Sequence, residues 1–590
     1  MQQYQKLKEQ HQYNAAQINK RYNLISAIRL MLAIGIVSCI YFYSQYDALF
    51  FVAGAILLIG LFLFLIKTHQ KLSWQKKVEH ELIDINQNEI DHLMNGDLPF
   101  ENGLKYNDPR HAYSFDLDIF GEKSLFQNLN RTGTYSGESK LASSLLSIQS
   151  QNVIIKNQEA IKELSNKIEW RQKIWAIARV NQDSEESFEN LMNWAKKRSE
   201  KITTPIRIIS FVSPLLTIGL FTAYNLLDNP ILLNLGLLLF VINLLVLASQ
   251  LKRVSQESVG SGKIDKVLKQ YSLIIAEIEH EEFQSERLRA LKEKLGSSTN
   301  ASQSIAQLSS LFGKMDNIMN AFSWIFNGIL LYHLHTLHAL QKWKNNNADN
   351  ISIWLEIIGE FEALSSLANF SYNNTQYIFP EINNNNELAF EDLGHPLLNQ
   401  ETMVTNSVSF SEKGFFILTG SNMSGKSTFL RTLGINMILG SIGAPICASK
   451  GSIHPLPVLV SMRLSDSLSD SESYFFAEVK RLKEIMSTLD QQKCFVLLDE
   501  ILRGTNSDDK RTGTIGVIEK MISKNVTGAI ATHDLEVCLT TDQYPEILVN
   551  KCFEVEIVNN ELHFDYKLRD GICQNKSATF LMEKMEIIAS

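Results

Sequence analysis

Cysteine is scarce in this chain: six residues out of 590, at Cys39, Cys447, Cys494, Cys538, Cys552 and Cys573, with no C-x-x-C pair. That excludes a disulfide framework and a zinc ribbon as organising devices and leaves reduced cytosolic thiols as the plain reading. A basic excess is also missing, because 56 Lys and Arg face 64 Asp and Glu, for a formal charge of −8. A strongly basic, nucleic-acid-coating protein is therefore excluded, although a local basic surface is not. The first 20 residues are polar and read as a helical lead-in, not as a cleavable signal peptide. Apolar residues, by contrast, make up 45% of the chain, and a mean hydropathy near zero fits soluble parts carrying a few membrane segments. A chain this long exceeds one core, so three or more folding units are expected.

The apolar residues are concentrated in two pairs of runs. Residues 24–43 and 48–66 are each long enough to cross a hydrocarbon core as a helix, and only Ser44-Gln45-Tyr46-Asp47 separates them. A second pair, 208–226 and 230–249, is joined by Leu227-Asp228-Asn229. Two such hairpins are rare among the buried helices of soluble domains, so a lipid bilayer contacted through four transmembrane helices is expected. Lys20, Arg21, Lys67, Lys71, Lys76 and Lys77 flank the first hairpin; Lys196, Lys197, Arg198, Lys201, Lys252 and Arg253 flank the second; neither turn holds a Lys or Arg. The positive-inside tendency then places both termini and the long middle segments in the cytoplasm, in a multi-pass integral membrane protein (of the inner membrane, in a bacterium). Arg29, inside the first run, is expected to snorkel toward that face. A fifth run, 321–340, carries His333, His335 and His338; it reads as a buried helix, since a fifth crossing would place the C-terminal region outside. With no acidic or cysteine partner nearby, these histidines are read as packing residues and not as metal ligands.

Residues 67–100 and 151–205 have long helical patterns, and 110–150 mixes a short apolar stretch with turn residues. Residues 258–262 read as a flexible linker, and roughly 263–295 as one long amphipathic helix with apolar Val267, Tyr271, Ile274, Ile275 and Ile278. Its charges are nearly balanced, so it gives no electrostatic support for gripping DNA. From about 388 onward, short apolar runs alternate with helical patterns, as an α/β domain requires.

The sharpest chemical signal is Gly420-Ser421-Asn422-Met423-Ser424-Gly425-Lys426-Ser427, a G-x-x-x-x-G-K-[ST] match between the apolar run 415–418 and a helical pattern starting at Thr428. Glycines let backbone amides curl around phosphate oxygens, and the helix N-terminus adds its positive end. Lys426 is expected to reach the β- and γ-phosphates and Ser427 to hold Mg²⁺. Further on, 494–498 reads as a buried strand ending in Asp499 and Glu500. Asp499 suits Mg²⁺, and Glu500 is placed to orient or deprotonate an attacking water. A third strand pattern, 528–532, ends at His533, placed to sense the γ-phosphate.

Together these motifs resemble the MutS family of DNA mismatch repair ATPases. Residues 419–428 (TGSNMSGKST), 498–508 (LDEILRGTNSD) and 531–534 (ATHD) are similar to the family's phosphate loop, its DE segment and its ATH loop, and 463–478 to its signature loop and helix. The resemblance implies that Ser473 contacts the γ-phosphate bound in the other subunit, hence a composite site and a homodimer; as a plain structural element Ser473 would be a helix cap. Residues 115–146, 360–380, 394–396 and 564–573 are similar to further family segments. Ser421, Ser424 and Leu502 depart from the family pattern, where proline, glycine and glycine are expected. The mismatch-reading domain has no visible counterpart, the first hairpin standing in its place, and the F-x-E at Phe476–Glu478 lies within the signature helix.

The expected architecture is multidomain: two transmembrane hairpins, an all-α core and lever region, and a C-terminal α/β P-loop domain of the ABC ATPase type. Its units are 1–100 (first hairpin and flanks), 101–205 (helical core, first part), 206–250 (second hairpin), 251–388 (helical lever, second part) and 389–590 (ATPase). The expected function is a membrane-anchored, dimeric, Mg²⁺-dependent ATPase acting on DNA. Its catalytic residues would be Glu500, His533 and Lys426, its ATP cradle residues 420–428 with Ser473 in trans, and its Mg²⁺ ligands Ser427 and Asp499. A mechanochemical or transporter-like membrane ATPase is the alternative; few polar groups in the spans to line a path, and a signature segment unlike a transporter's, argue against it.

Overall fold

The computed structural model describes residues 1–181, 183–199, 202–257, 264–296, 300–316, 321–410, 414–463, 474–558, 561–573, 582 and 587. The linker expected at 258–262 and Ser473 lie outside the described residues. The chain is mostly helical up to Asn373 and α/β after it. Helices α1 (Gln2–Tyr46) and α2 (Leu49–Asn95) form an antiparallel pair, closed by Asp47 at φ 48°, whose N–H donates to the Tyr43 carbonyl at 2.9 Å. Short helices follow: α3 (Leu125–Leu129), α4 (Tyr135–Leu145), α5 (Gln151–Ser165), α6 (Ile168–Arg179) and α7 (Glu185–Lys196). A second antiparallel pair is α8 (Thr204–Leu227) and α9 (Pro230–Glu257), turned by Asp228 at φ 47°. By length and composition, α1, α2, α8 and α9 can each cross a membrane.

Helices α1 and α2 are longer than any bilayer requires. At 45 and 47 residues each is about 70 Å long, more than twice a hydrocarbon core. The apolar halves carry bare Leu30, Met31, Leu57 and Phe64, whereas the polar halves bury Tyr4, Leu7, Leu82, Ile85 and Ile90. The polar halves are joined by His11 Nδ1 to Glu79 at 2.8 Å and Lys76 Nζ to Asn19 at 2.8 Å.

Two expectations are corrected. Residues 263–295 are not one helix but two, α10 (Ile264–His280) and α11 (Glu286–Gly296). The break is held by Glu163 of α5, whose carboxylate accepts the N–H groups of Gln284 (2.9 Å) and Ser285 (2.7 Å), just where α11 needs its first donors satisfied. After α12 (Ala301–Met315), the run 321–340 is not one buried helix either. It divides into α13 (Ala321–Leu330) and the start of α14 (Tyr332–Asn373), with Leu331 between them at φ 48°. Trp324, Ile325 and Phe326 on α13 are exposed.

Helix α14 is the spine of the molecule. Its last turns, Trp354 to Phe370, are largely buried among the short helices. There Glu89 of α2 accepts hydrogen bonds from Arg131 Nε (2.5 Å), Asn369 (3.0 Å) and Asn373 (2.9 Å), while the Tyr4 hydroxyl donates to Asn373 at 2.7 Å. The first hairpin is thereby fastened to α14 through buried, mutually satisfied polar groups.

The α/β part holds two sheets. The smaller has the order β1-β5-β2-β3, from β1 (Glu381–Ile382), β2 (Leu388–Leu393), β3 (Asn406–Phe410) and β5 (Lys450–Ile453). The larger has the order β10-β9-β4-β8-β7-β6. Its strands are β4 (Phe415–Gly420), β6 (Val458–Ser461), β7 (Phe495–Asp499), β8 (Thr527–Ala531), β9 (Leu548–Val558) and β10 (Glu561–Asp570). Strands β9, β4, β8, β7 and β6 are parallel, and β10 runs antiparallel to β9. The central strands are buried along their whole length, which is why their sequences read as unbroken apolar runs and not as alternation. Helices α15 (Lys426–Ser441), α16 (Tyr474–Leu489) and α17 (Ser507–Ser523) connect them, with the short α18 (Leu535–Cys538) and α19 (Thr540–Gln543) before β9.

Candidate functional site

The central strand β4 delivers the chain into a tight loop, and α15 leaves it. Gly425, at φ 103°, caps α15, and Gly420 sits so close to the rest of the loop that an added Cβ would lie 2.5 Å from Ser424 Oγ and 3.0 Å from the Phe553 carbonyl. Only glycine meets both demands without moving the loop. Met423 adopts φ 67° and is 80% exposed at the loop tip. Lys426 folds back over the loop: its ammonium donates to the carbonyls of Gly420 (2.9 Å) and Ser421 (3.0 Å), and burial lowers its pKa. Ser421 and Asn422 border solvent, Ser424 is buried with its hydroxyl unpartnered among the described residues, and Thr428 lies in the first turn of α15.

Strands β7 and β8 end beside this loop. The Ser427 hydroxyl donates to Asp499 Oδ2 at 2.5 Å, and Asp499 Oδ1 is buried with no partner among the described residues. A hydroxyl and a carboxylate with a spare buried oxygen form a hard-oxygen donor set, which fits Mg²⁺. Glu500, at φ 48°, points Oε1 at His533 Nε2, 2.5 Å away, and Oε2 at Arg503, 3.4 Å away. The His533 hydrogen bond holds the Glu500 carboxyl down to about 2, so it is ionised at any physiological pH. His533 Nε2 is also 3.4 Å from Lys426 Nζ. Lys426, Ser427, Asp499, Glu500 and His533 thus converge at the ends of three adjacent parallel strands, where open α/β sheets place ligands.

Residues that sequence reasoning did not single out complete the surroundings. A cleft of about 480 Å³ opens beside the loop, with Leu398, Met403, Val404, Phe553 and Tyr566 on its apolar wall. Burial pushes the His395 imidazole in that wall down to about 4, so it is neutral. Glu478 on α16 is buried and accepts the Leu502 N–H at 2.7 Å, tying that helix to the turn after Glu500. Asp116 accepts the N–H groups of Met462 (2.8 Å) and Arg463 (2.7 Å), and Asp118 pairs with Arg463 and Arg431. The segment 115–118 is therefore a seam between helical core and α/β region; two acidic residues one apart in a loop carry no sequence signal for that.

Residues 416–587 match the family model described as MutS domain V. Over this region the chain is similar to the MutS family. Among curated proteins, human "MutS protein homolog 4" is 27% identical over 296 residues, covering 46% of this chain and 31% of that protein. The "DNA mismatch repair protein MutS" of Thermotoga maritima is 30% identical over 223 residues, covering 37% of this chain and 27% of its own. "DNA mismatch repair protein MSH4" of Arabidopsis thaliana is 30% identical over 200 residues, 33% of this chain and 25% of that one. The chain thus spans less than a third of the length of each of these relatives. The converging strand ends all lie in the matched part, apart from the first residue of β4.

Proposed function

We propose that this protein is a membrane-embedded ATPase of the MutS family that binds and hydrolyses ATP as a dimer and acts on DNA. The observation carrying the reading is the convergence of Lys426, Ser427, Asp499, Glu500 and His533 on one loop at the sheet edge. The loop amides of 420–428 and the N-terminus of α15 cradle the phosphates, and the apolar cleft accepts the base. Lys426 exchanges its two loop carbonyls for phosphate oxygens. Ser427 and Asp499 hold Mg²⁺, which when bound neutralises charge on the β- and γ-phosphates.

Glu500, ionised and aimed into the site, orients the attacking water and accepts its proton late in the reaction, when water has become strongly acidic. His533 holds that carboxylate in place and stands near enough to exchange it for the γ-phosphate. Ser473 completes the site from the second subunit, and α16, fixed by Glu478, carries its closure to the Leu502 turn. The two hairpins anchor the chain with the ATPase on the cytoplasmic side. The units proposed for the chain are 1–100, 101–205, 206–250, 251–388 and 389–590.

The test is ATP hydrolysis by detergent-solubilised full-length protein with and without duplex, mismatched and branched DNA at low salt. DNA is expected to change the rate, with an effect that fades as salt rises. Hydrolysis indifferent to every DNA would remove the DNA part of the reading and leave a mechanical membrane ATPase.

A further inference from the structure

Helix α13 is 10 residues long, about 15 Å, which is half the thickness of a hydrocarbon core. It lies against the second hairpin. An added Cβ on Gly328 would meet the Phe240 ring of α9 at 2.1 Å, so the backbone approaches as only glycine allows. The Gly328 carbonyl accepts the Asn243 amide at 2.8 Å. Asn243 is fully buried and also meets the hydroxyls of Ser213 (2.5 Å) and Thr217 (3.4 Å) on α8. Counting back from Lys252 on α9 and forward from Arg207 on α8, these groups sit roughly 9–15 Å inside the charged flank of the hairpin. At such depth a polar group is costly unless paired. Here the hairpin's polar groups pair with each other and with the backbone of α13.

The turn after α13 is closed in the same manner. Leu331, at φ 48°, ends the helix, and α14 runs from there to Lys344, which pairs with Glu257 at the charged end of α9 at 3.4 Å. This break frees backbone groups, and side chains take them up. Asn243 covers the Gly328 carbonyl, Asn327 Oδ1 accepts the His333 N–H at 2.9 Å, and the Asn327 amide lies 2.8 Å from His333 Nδ1. Irregular backbone survives at membrane depth only under this condition, whereas in water no such closure is needed. Trp324, Ile325 and Phe326 nevertheless stay 55%, 52% and 53% exposed, and Leu215 and Leu238 on the hairpin are bare as well.

We propose that α13 and the Leu331 turn form a re-entrant membrane element. It enters the bilayer on the side from which α14 leaves, locks onto the second hairpin through Asn243 and Gly328, and presents Trp324, Ile325 and Phe326 to lipid acyl chains. The number of full crossings stays at four, and the C-terminal region stays on its side. This inference rests on the membrane reading of the hairpins. It makes α14 a single 42-residue helix that starts in the bilayer and ends at the first strand of the α/β region.

The experiment places an environment-sensitive fluorescent amino acid at Ile325, Ile56 or Ile155 of the full-length chain in phosphatidylcholine–phosphatidylglycerol vesicles. Quenching by doxyl-labelled lipid is compared with quenching by aqueous iodide. Position 56, in the first hairpin, and position 325 are expected to respond to the lipid quencher, and position 155, on the exposed face of α5, to iodide. Iodide quenching at 325 with lipid quenching kept at 56 overturns the inference and leaves the hairpins in place. Iodide quenching at 56 overturns the membrane reading itself. Protection of 325 from both quenchers means a second copy of the chain covers α13, which also overturns it. Asn243→Leu is expected to raise iodide quenching at 325 severalfold while 56 is unchanged; no rise would remove Asn243 as the lock.

Discussion

Two regions of the molecule treat buried polar atoms in opposite ways. Among the described residues, the strand-edge site keeps polar atoms open: Asp499 Oδ1 and Ser424 Oγ are buried without partners, and Lys426 rests on loop carbonyls. Beside the second hairpin, Asn243, Ser213, Thr217 and Asn327 are closed on one another and on backbone, with His333 Nε2 left over. An unmade buried hydrogen bond costs about 1–3 kcal/mol, a cost that a ligand partnering Asp499 and Ser424 would recover. The Glu89 cluster, also closed, grips the last turn of α14.

Substitutions that close an open atom or open a closed one test this contrast. The largest effect is expected from Glu500→Gln: turnover should fall by about 10²- to 10⁴-fold while ATP binding persists. Phosphate release and nucleotide binding check this together, and normal turnover would remove Glu500 from the reaction. Next comes Arg131→Ala, which strands the Glu89 carboxylate and should destabilise the fold by about 3–5 kcal/mol in denaturant unfolding. A loss within error would show that water reaches the cluster.

Glu362→Gln acts through pH. Burial holds the Glu362 carboxyl, beside the Gly133 N–H and the Thr134 hydroxyl, up to about 7 from an ordinary 4.5. The folded chain therefore keeps a proton that the unfolded chain releases. This contribution is present below about 4.5 and is lost as pH rises through about 7, on the order of 3 kcal/mol in all. The variant's Tm should vary less between pH 5 and pH 8 than the parent's; equal slopes would place the ionisation elsewhere. The smallest effect is expected from Asn243→Leu, about 1 kcal/mol by unfolding in lipid or detergent, since hydrogen bonds between membrane helices are individually weak.

Much of the site can be read along the chain because its parts are local. A glycine-bracketed loop between a buried strand and a helix names Gly420 to Thr428 without tertiary information, and Asp499, Glu500 and His533 each end an apolar run. What the run of residues conceals is pairing. Nothing near Glu500 announces that His533 will hold its carboxylate, or near Asp116 that Met462 and Arg463 will dock on it, because those partners arrive through strand order and not through spacing. The break between α10 and α11 is hidden for the same reason: Glu163, more than a hundred residues earlier, supplies the cap.

By itself, then, the sequence determined the classes of structure: apolar length for four long helices, unbroken β runs for a parallel sheet, and a phosphate-loop motif at its centre. These follow from hydrophobic burial and local backbone sterics, which act over a few residues. The tertiary structure alone decided which buried polar atoms find partners, where helices stop, and that 321–340 folds into two helices on a hairpin. Those outcomes depend on hydrogen bonds between distant segments, whose worth is set by the burial around them.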